Sequence, residues 1–255
     1  MDVVYARCCG IDVHQAKLAV CVSIKEQGRS EKHKLCCGTA TAELLRLSDW
    51  LREHGVTHVA MEATGVYWKP VWNVLEGQFE LLLANPVQVK ALRGRKGDLR
   101  DGERIADFLQ HGLLLGSFVP PRPIQQLRDL TRSRTMLKQE QVRVSNRILK
   151  VLEDANIKLN TVMSDVMGVS GREMLRAIIQ GKTDPAELAE LARGRLRGKI
   201  PLLQQAAPGR LNEHHRFLIE HWMAMWDELT ARIAKFEERI EEQMRPFEPV
   251  VKTWS

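Results

Sequence analysis

The chain has 255 residues, 44% of them apolar, and a formal net charge of +6, which excludes a disordered chain and suggests one domain with a further part, or two small ones. Its five cysteines, Cys8, Cys9, Cys21, Cys36 and Cys37, are odd in number and contain no CxxC pair, which argues against a disulfide framework or a zinc ribbon and for reduced thiols. No apolar run is long enough to span a bilayer and the N-terminus lacks a signal-peptide layout, so a cytoplasmic protein with no membrane partner is expected.

In chain order, VVYARCCGIDV, KLAVCVSI and EKHKLCCGT are short β-branched or cysteine-rich runs between turn and charge signals, which predicts three consecutive strands in a meander. TAELLRLSDWLREHG sets Leu44, Leu45, Leu47 and Leu51 near helical spacing, with Thr41 as its expected cap and Gly55 as its stop. A strand over VTHVAMEATG, a short helix over YWKPVWNVLEGQ and a strand over FELLLANP follow. Three strands, then helix, strand, helix and strand, describe a mixed α/β sheet covered by helices.

The character changes after Pro120-Pro121-Arg122-Pro123. From Ile124 to about Ile157 there is no Pro or Gly, and Ile124, Leu127, Leu130, Leu137, Val144, Ile148 and Val151 lie on an approximate a/d stripe, which predicts one long helix. Short helices broken by GVSG, GKTDP and the loop RGRLRGKIP precede a second long helix, from about Glu213 to Arg245. It carries Phe217, Leu218, Trp222, Met225, Leu229, Ile233, Phe236 and Ile240 at a period near 3.5. The two long helices are expected to form an antiparallel hairpin or coiled-coil arm, closed within one chain or paired with another subunit.

Charge is uneven along the chain. Residues 90–150 hold 14 Lys and Arg against 6 Asp and Glu. That excess fits a surface that neutralises phosphates better than a merely solvated helix face. Nucleic-acid contacts are expected from Arg93, Arg95, Lys96, Arg128, Arg132, Arg134, Lys138, Arg143 and Arg147.

Two acids interrupt apolar strands: Asp12 in CGIDVHQAK and Glu62 in VAMEATG. A carboxylate in a buried strand is costly unless paired or bound to a cation, and strand ends in an open sheet form the usual ligand crevice. Asp98 and Asp101, in KGDLRDGERIADFLQHG, stand three residues apart at the mouth of an amphipathic helix. By themselves they could be a helix cap, since acids in a first turn favour the helix dipole. Together with Asp12 and Glu62 they point to a metal site, whose all-oxygen donors suit Mg²⁺ or Mn²⁺. Two such ions about 4 Å apart serve phosphodiester chemistry.

The stretches GIDVHQAKLAV, MEATGVYW, ANPVQVKALRGRKGDLRDGERIADFL, LRDLTRSRTMLKQEQVRVSNRILKVLEDANIKL and GVSGREML together resemble the DEDD transposases of the insertion sequence 110 family, the bridge-RNA-guided recombinases. The resemblance implies an RNase H-like, Holliday-junction-resolvase-like domain over residues 1–121, with Asp12, Glu62, Asp98 and Asp101 as a metal-binding catalytic tetrad. It implies an all-α coiled-coil region with inserted short helices over residues 122–255. DNA, a structured guide RNA and a homo-oligomer, dimer or tetramer, are the implied partners, and DNA transposition is the implied function. Where the family usually reads KTDxxDA, this sequence has Gly97 and Gly102. Gly97 removes a possible cap, and Gly102 is expected to weaken the first helical turn by roughly 0.5–1 kcal/mol relative to Ala. The sequence stops at PFEPVVKTWS, without the family's C-terminal domain and its DNA-attacking serine, a role that Ser255 does not match. A truncated transposase, impaired alone, is therefore expected. A stand-alone Mg²⁺-dependent junction nuclease and a non-catalytic nucleic-acid-binding remnant are the alternatives. An actin-like sugar kinase is disfavoured, because no glycine-rich phosphate loop is present.

Smaller features complete the reading. His14, two residues after Asp12, is expected to find a backbone partner rather than to sit beside the metal. His214 and His215 lack a HExxH frame and are expected to face solvent. Tyr67 and Trp68 either stack on a base or pack beneath the site. Arg193, Arg195, Arg197 and Lys199 form a Gly-interleaved basic loop that serves as a phosphate contact or a mobile turn.

Overall fold

A computed structural model of the chain describes residues 2–26, 28–63, 65–87 and 101–247, in two units, Met1–Val119 and Pro120–Ser255. Five strands build the first: β1 (Arg7–Val13), β2 (Lys17–Glu26), β3 (Arg29–Gly38), β4 (His58–Glu62) and β5 (Glu80–Ala84). Their order in the sheet is β3-β2-β1-β4-β5. β1, β2 and β3 pair antiparallel through tight connections, as the meander pattern predicts, while β4 and β5 run parallel to β1. A parallel neighbour needs a crossover, and helices α1 (Thr41–Glu53) and α2 (Trp68–Leu75) provide it.

Strand alternation sorts side chains between two faces. Cys9, Ile11, Val13, Leu18, Val20, Val22, Val59 and Met61 face one side, where Leu44, Leu47 and Leu51 of α1 and Val71, Trp72 and Leu75 of α2 cover them. Cys8, Ala60 and Ala84 face the other, beneath Ile105 and Leu109 of α3 (Asp101–Gln110). Helices on both faces of a mixed sheet give the RNase H-like arrangement expected of this chain. Thr41 is not a cap as expected; Ala40 holds that position without a side-chain bond, and Thr41 is the first helical residue.

The second unit is all helical: α4 (Arg122–Asp154), α5 (Leu159–Val162), α6 (Val169–Ile179), α7 (Pro185–Glu190), α8 (Ile200–Ala206) and α9 (Glu213–Met244). α4 starts with Pro123 in its first turn and ends where Asn156 takes φ 59°, a left-handed residue that stops a helix. Arg134 meets Glu237, Gln141 meets Thr230, and Asp154 meets His215, so α4 and α9 run antiparallel. Their joined ends close over a core of Ile148, Leu152, Met174, Leu175, Ile178, Leu203, Ile219 and Met223. Farther out, buried apolar positions among the described residues thin to Val144, Leu229 and Ile233.

Three expectations fail here. His215 is 7% exposed, because it completes the capping box of α9 with Asn212 and its Nε2 lies 2.9 Å from Asp154 Oδ2. Phe217, expected on the apolar stripe, is 54% exposed and lies against the ring of His221, centroids 4.0 Å apart. RGRLRGKIP is not a loop either: Gly194–Lys199 forms a 3-10 turn that runs into α8.

Candidate active site

Asp12 and Glu62 end adjacent parallel strands. The β1–β4 ladder runs from Cys8 opposite His58 to Ile11 opposite Met61, so the next residues on each strand are these two acids. Neighbouring strands lie about 4.8 Å apart and residues level with one another point to one face. That face is the one bearing Cys8, Gly10 and Ala60, beneath α3. The two carboxylates therefore sit side by side at the carboxyl ends of the central strands, where open sheets form ligand crevices.

Glycines set how closely α3 approaches. A Cβ on Gly10 would lie 2.2 Å from Ala106 N and 2.4 Å from Gly102 O, so the helix backbone rests directly on β1. A Cβ on Gly102 would lie 2.5 Å from the carbonyl oxygen of Ala19, the cross-strand partner of Asp12. The first turn of α3 thus abuts the strand residue opposite Asp12. Gly102 does more than weaken a helical turn, as its propensity suggested; the close approach leaves no room for an alanine there. Three side-chain ties hold α3 down: the buried Glu103 pairs with Lys34 of β3, Ser23 Oγ donates to Gln110 Oε1 at 3.2 Å, and Cys8 Sγ to Ala106 O at 3.6 Å.

The Asp12 side chain is 13% exposed, and its partner is His14, whose Nε2 stands 3.0 Å from Oδ2. His14 is thus engaged through its ring with the acid, not only through the backbone as expected. Among the described residues no Lys or Arg forms an ion pair with Asp12 or Glu62, so within that part of the chain only His14 stands against the two adjacent acids. Asp101 behaves differently: its side chain is 54% exposed and its Oδ1 lies 2.6 Å from Arg104 Nη2. Asp98, with Arg93, Arg95 and Lys96, lies outside the described residues. Among the described residues no three acidic, histidine or cysteine side chains converge on a metal position. The structure brings Asp12 and Glu62 together and sets the α3 terminus beside them. Sequence reasoning did not find Gly10, whose signal was a glycine inside a strand pattern, a mark of close backbone approach.

Beside Glu62 the chain turns through Gly65 at φ 54°. Tyr67 is 38% exposed there, while Trp68 packs edge-on against Trp72, centroids 5.8 Å apart.

Of the basic residues on α4, Arg134 is committed to Glu237. Arg143 and Arg147 share Glu140, and Arg147 also stacks on Trp222, 4.9 Å from the ring centroid. Arg128, Arg132 and Lys138 are exposed, and among the described residues none has an ion pair. No helix of the described residues is long and apolar enough to cross a membrane.

A family model described as Transposase, that of the DEDD transposases of insertion sequence 110, matches residues 9–157, more than half of the chain. No curated protein matches. Among solved structures, Thermus thermophilus RuvC in complex with a Holliday junction substrate is 15% identical, over 44% of this chain and 99% of that one, at a TM-score of 0.32. A second Thermus thermophilus RuvC structure is 19% identical, over 46% and 85%, at 0.29. An Aquifex aeolicus member of the Ppx/GppA family is 10% identical, over 86% and 98%, at 0.25.

Proposed function

Since the chain belongs to the DEDD transposase family of insertion sequence 110, we propose that it binds DNA and cleaves and rejoins its strands in transposition. The observation that carries this reading is the pairing of Asp12 with Glu62 at the ends of adjacent parallel strands, with no Lys or Arg to neutralise them among the described residues. Like charges so placed repel unless a cation lies between them, and an all-carboxylate donor set fits Mg²⁺ or Mn²⁺. Asp12 and Glu62 would hold the ion, with Asp98 and Asp101 as further ligands once Asp101 leaves Arg104. When bound, such an ion lowers the cost of charge on the attacking and leaving oxygens of a phosphodiester.

The protein's own groups orient that site. His14 fixes one oxygen of Asp12, and the other has no hydrogen-bond partner among the described residues. Gly10 and Gly102 let α3 lie against β1 and β2, so that its acidic first turn reaches the level of Asp12. The exposed cations Arg128, Arg132 and Lys138 are suited to backbone phosphates, which position a nucleic acid without reading its sequence. Arg134, Arg143 and Arg147 already neutralise acids or stack and would contribute less. A structured RNA guide is the finer part of the reading, supported by the family and the basic excess over residues 90–150. Assembly as a homo-oligomer is supported by Met136 and Val142, exposed apolar residues on α4 that a second copy would cover.

Calorimetric titration of Mn²⁺ into the chain tests the site, alongside cleavage of branched DNA. Wild type should bind the ion, and Asp12→Asn and Glu62→Gln should each weaken it by about 100-fold or more, beyond the 10–100-fold typical of an outer-shell change. Asp98→Asn/Asp101→Asn should do the same. Equal Mn²⁺ binding by wild type and Asp12→Asn would overturn the assignment.

A further inference from the structure

A cavity of about 410 Å³ opens in the helical unit, between the loop that precedes α6 and the 3-10 turn Gly194–Lys199. That volume lies within the ordinary range of ligand sites. Its walls are braced. A Cβ on Gly171 would lie 2.0 Å from Val166 O, so the loop is pressed onto the first turn of α6. Asp165 Oδ1 accepts from Met167 N at 2.9 Å, and Ser170 Oγ accepts from Arg193 N at 2.8 Å, which ties the two walls together. Gly194, at φ 56°, turns the chain into the 3-10 segment.

With three residues per turn, that geometry puts every third side chain on one face. Arg193, Leu196 and Lys199 accordingly line the cavity, joined by Arg195, while Arg197 reaches away to Glu190. The charges do not cancel. Arg193 is matched by Glu173 at 3.1 Å, and Asp165, which also lines the space, is the acid facing the remaining cations. Lys199 Nζ donates only to the Val162 carbonyl, at 3.0 Å, and Arg195 has no ion pair or hydrogen bond among the described residues. The first turn of α6 opens on the same space without a side-chain cap, so its amides add to an anion-attracting wall. No aromatic side chain lines the cavity, so a base would find nothing to stack on.

From this we infer that the cavity is a backbone clamp: Arg195 and Lys199, with the first-turn amides of α6, hold one phosphate of a nucleic-acid strand without reading its base. The inference rests on the reading that the chain binds nucleic acid, and it uses none of the acids at the sheet. It assigns a purpose to the GVSG and RGRLRGK segments, which no other contact described above explains.

The test is salt-dependent binding of a labelled duplex and a labelled RNA hairpin to the full chain, wild type against Arg195→Gln/Lys199→Gln. Both side chains are exposed, so the melting temperature should hold. Affinity for at least one of the two probes should fall about 10-fold, and its log K against log salt slope should become shallower by about 1, as expected when one phosphate is no longer neutralised. Arg195→Lys should keep the wild-type slope. Wild-type affinity and slope in the double variant would overturn the clamp while leaving the proposed function intact. No oligonucleotide binding by wild type would overturn both. Titration of inorganic phosphate alone separates the sources: saturable phosphate binding lost in the double variant, with oligonucleotide binding unchanged, would make the cavity a free-anion site and refute the backbone assignment.

Discussion

Gly10→Ala perturbs the contact on which the acidic site is built. The added methyl would stand 2.2 Å from Ala106 N and 2.4 Å from Gly102 O, where ordinary contact begins at 3.4 Å. Both are backbone atoms of α3, so no side-chain rotation relieves the overlap, and the helix has to lift from β1 by about 1 Å. Overpacking of this kind costs about 1–3 kcal/mol. Alanine stiffens the unfolded chain and returns about 0.4–1 kcal/mol, which leaves a net loss on the order of 1–2 kcal/mol. With a urea slope of about 2 kcal/mol/M, the midpoint of the first unit should fall by about 0.5–1 M. Hydrogen exchange resolves the effect locally: amides of α3 should exchange faster, while those of α1 on the opposite face change less. Gly198→Ala is the control, since a Cβ there meets nothing within 4 Å and should shift stability by no more than about 0.5 kcal/mol. If Gly10→Ala unfolds like Gly198→Ala, with α3 exchange unchanged, α3 does not rest on β1 as described.

Gly102→Ala tests the same contact from the helix side. Propensity alone promises a gain of about 1 kcal/mol, yet the methyl would meet Ala19 O at 2.5 Å, so thermal unfolding should show a loss; a higher melting temperature would refute the close approach. Among the cysteines, the exposed Cys36 should react with iodoacetamide at once, and the buried Cys8 and Cys9 only on unfolding. Burial, then Cys21 and Asp107, pushes the Cys8 thiol from about 9 up to about 12. A value raised on folding means that its contribution is whole below about 9 and is lost as pH climbs through about 12. Alkaline titration of stability should show that fall, and Cys8→Ala should flatten it. Asn212→Ala removes the acceptor for His215 N at 2.9 Å and should cost about 1 kcal/mol, read by thermal unfolding of the helical unit.

Much of the architecture was legible in local pattern. Short β-branched or cysteine-rich runs between turn and charge signals marked β1 and β2, an apolar run marked β4, and a repeat near 3.5 marked α4 and α9, because burying one face of a helix imposes that spacing on the residues themselves. Asp12 and Glu62 stood out for the same reason, as charges where the pattern called for apolar side chains. Pairing across long sequence separations was not legible. That β4 lies beside β1, so that the two acids end level, depends on the crossover through α1. That Gly102 must be glycine depends on the carbonyl of Ala19, more than eighty residues earlier in the chain. His215 looked like a solvent-facing residue at a helix start until the end of α4, with Asp154, was packed against it. The basic run at Arg193 to Lys199 showed its charge in the sequence, but the cavity it lines exists only once α6 and the 3-10 turn are brought together. Local sequence determines which face of each element is apolar; which elements meet, and how closely, is decided by packing between residues distant along the chain.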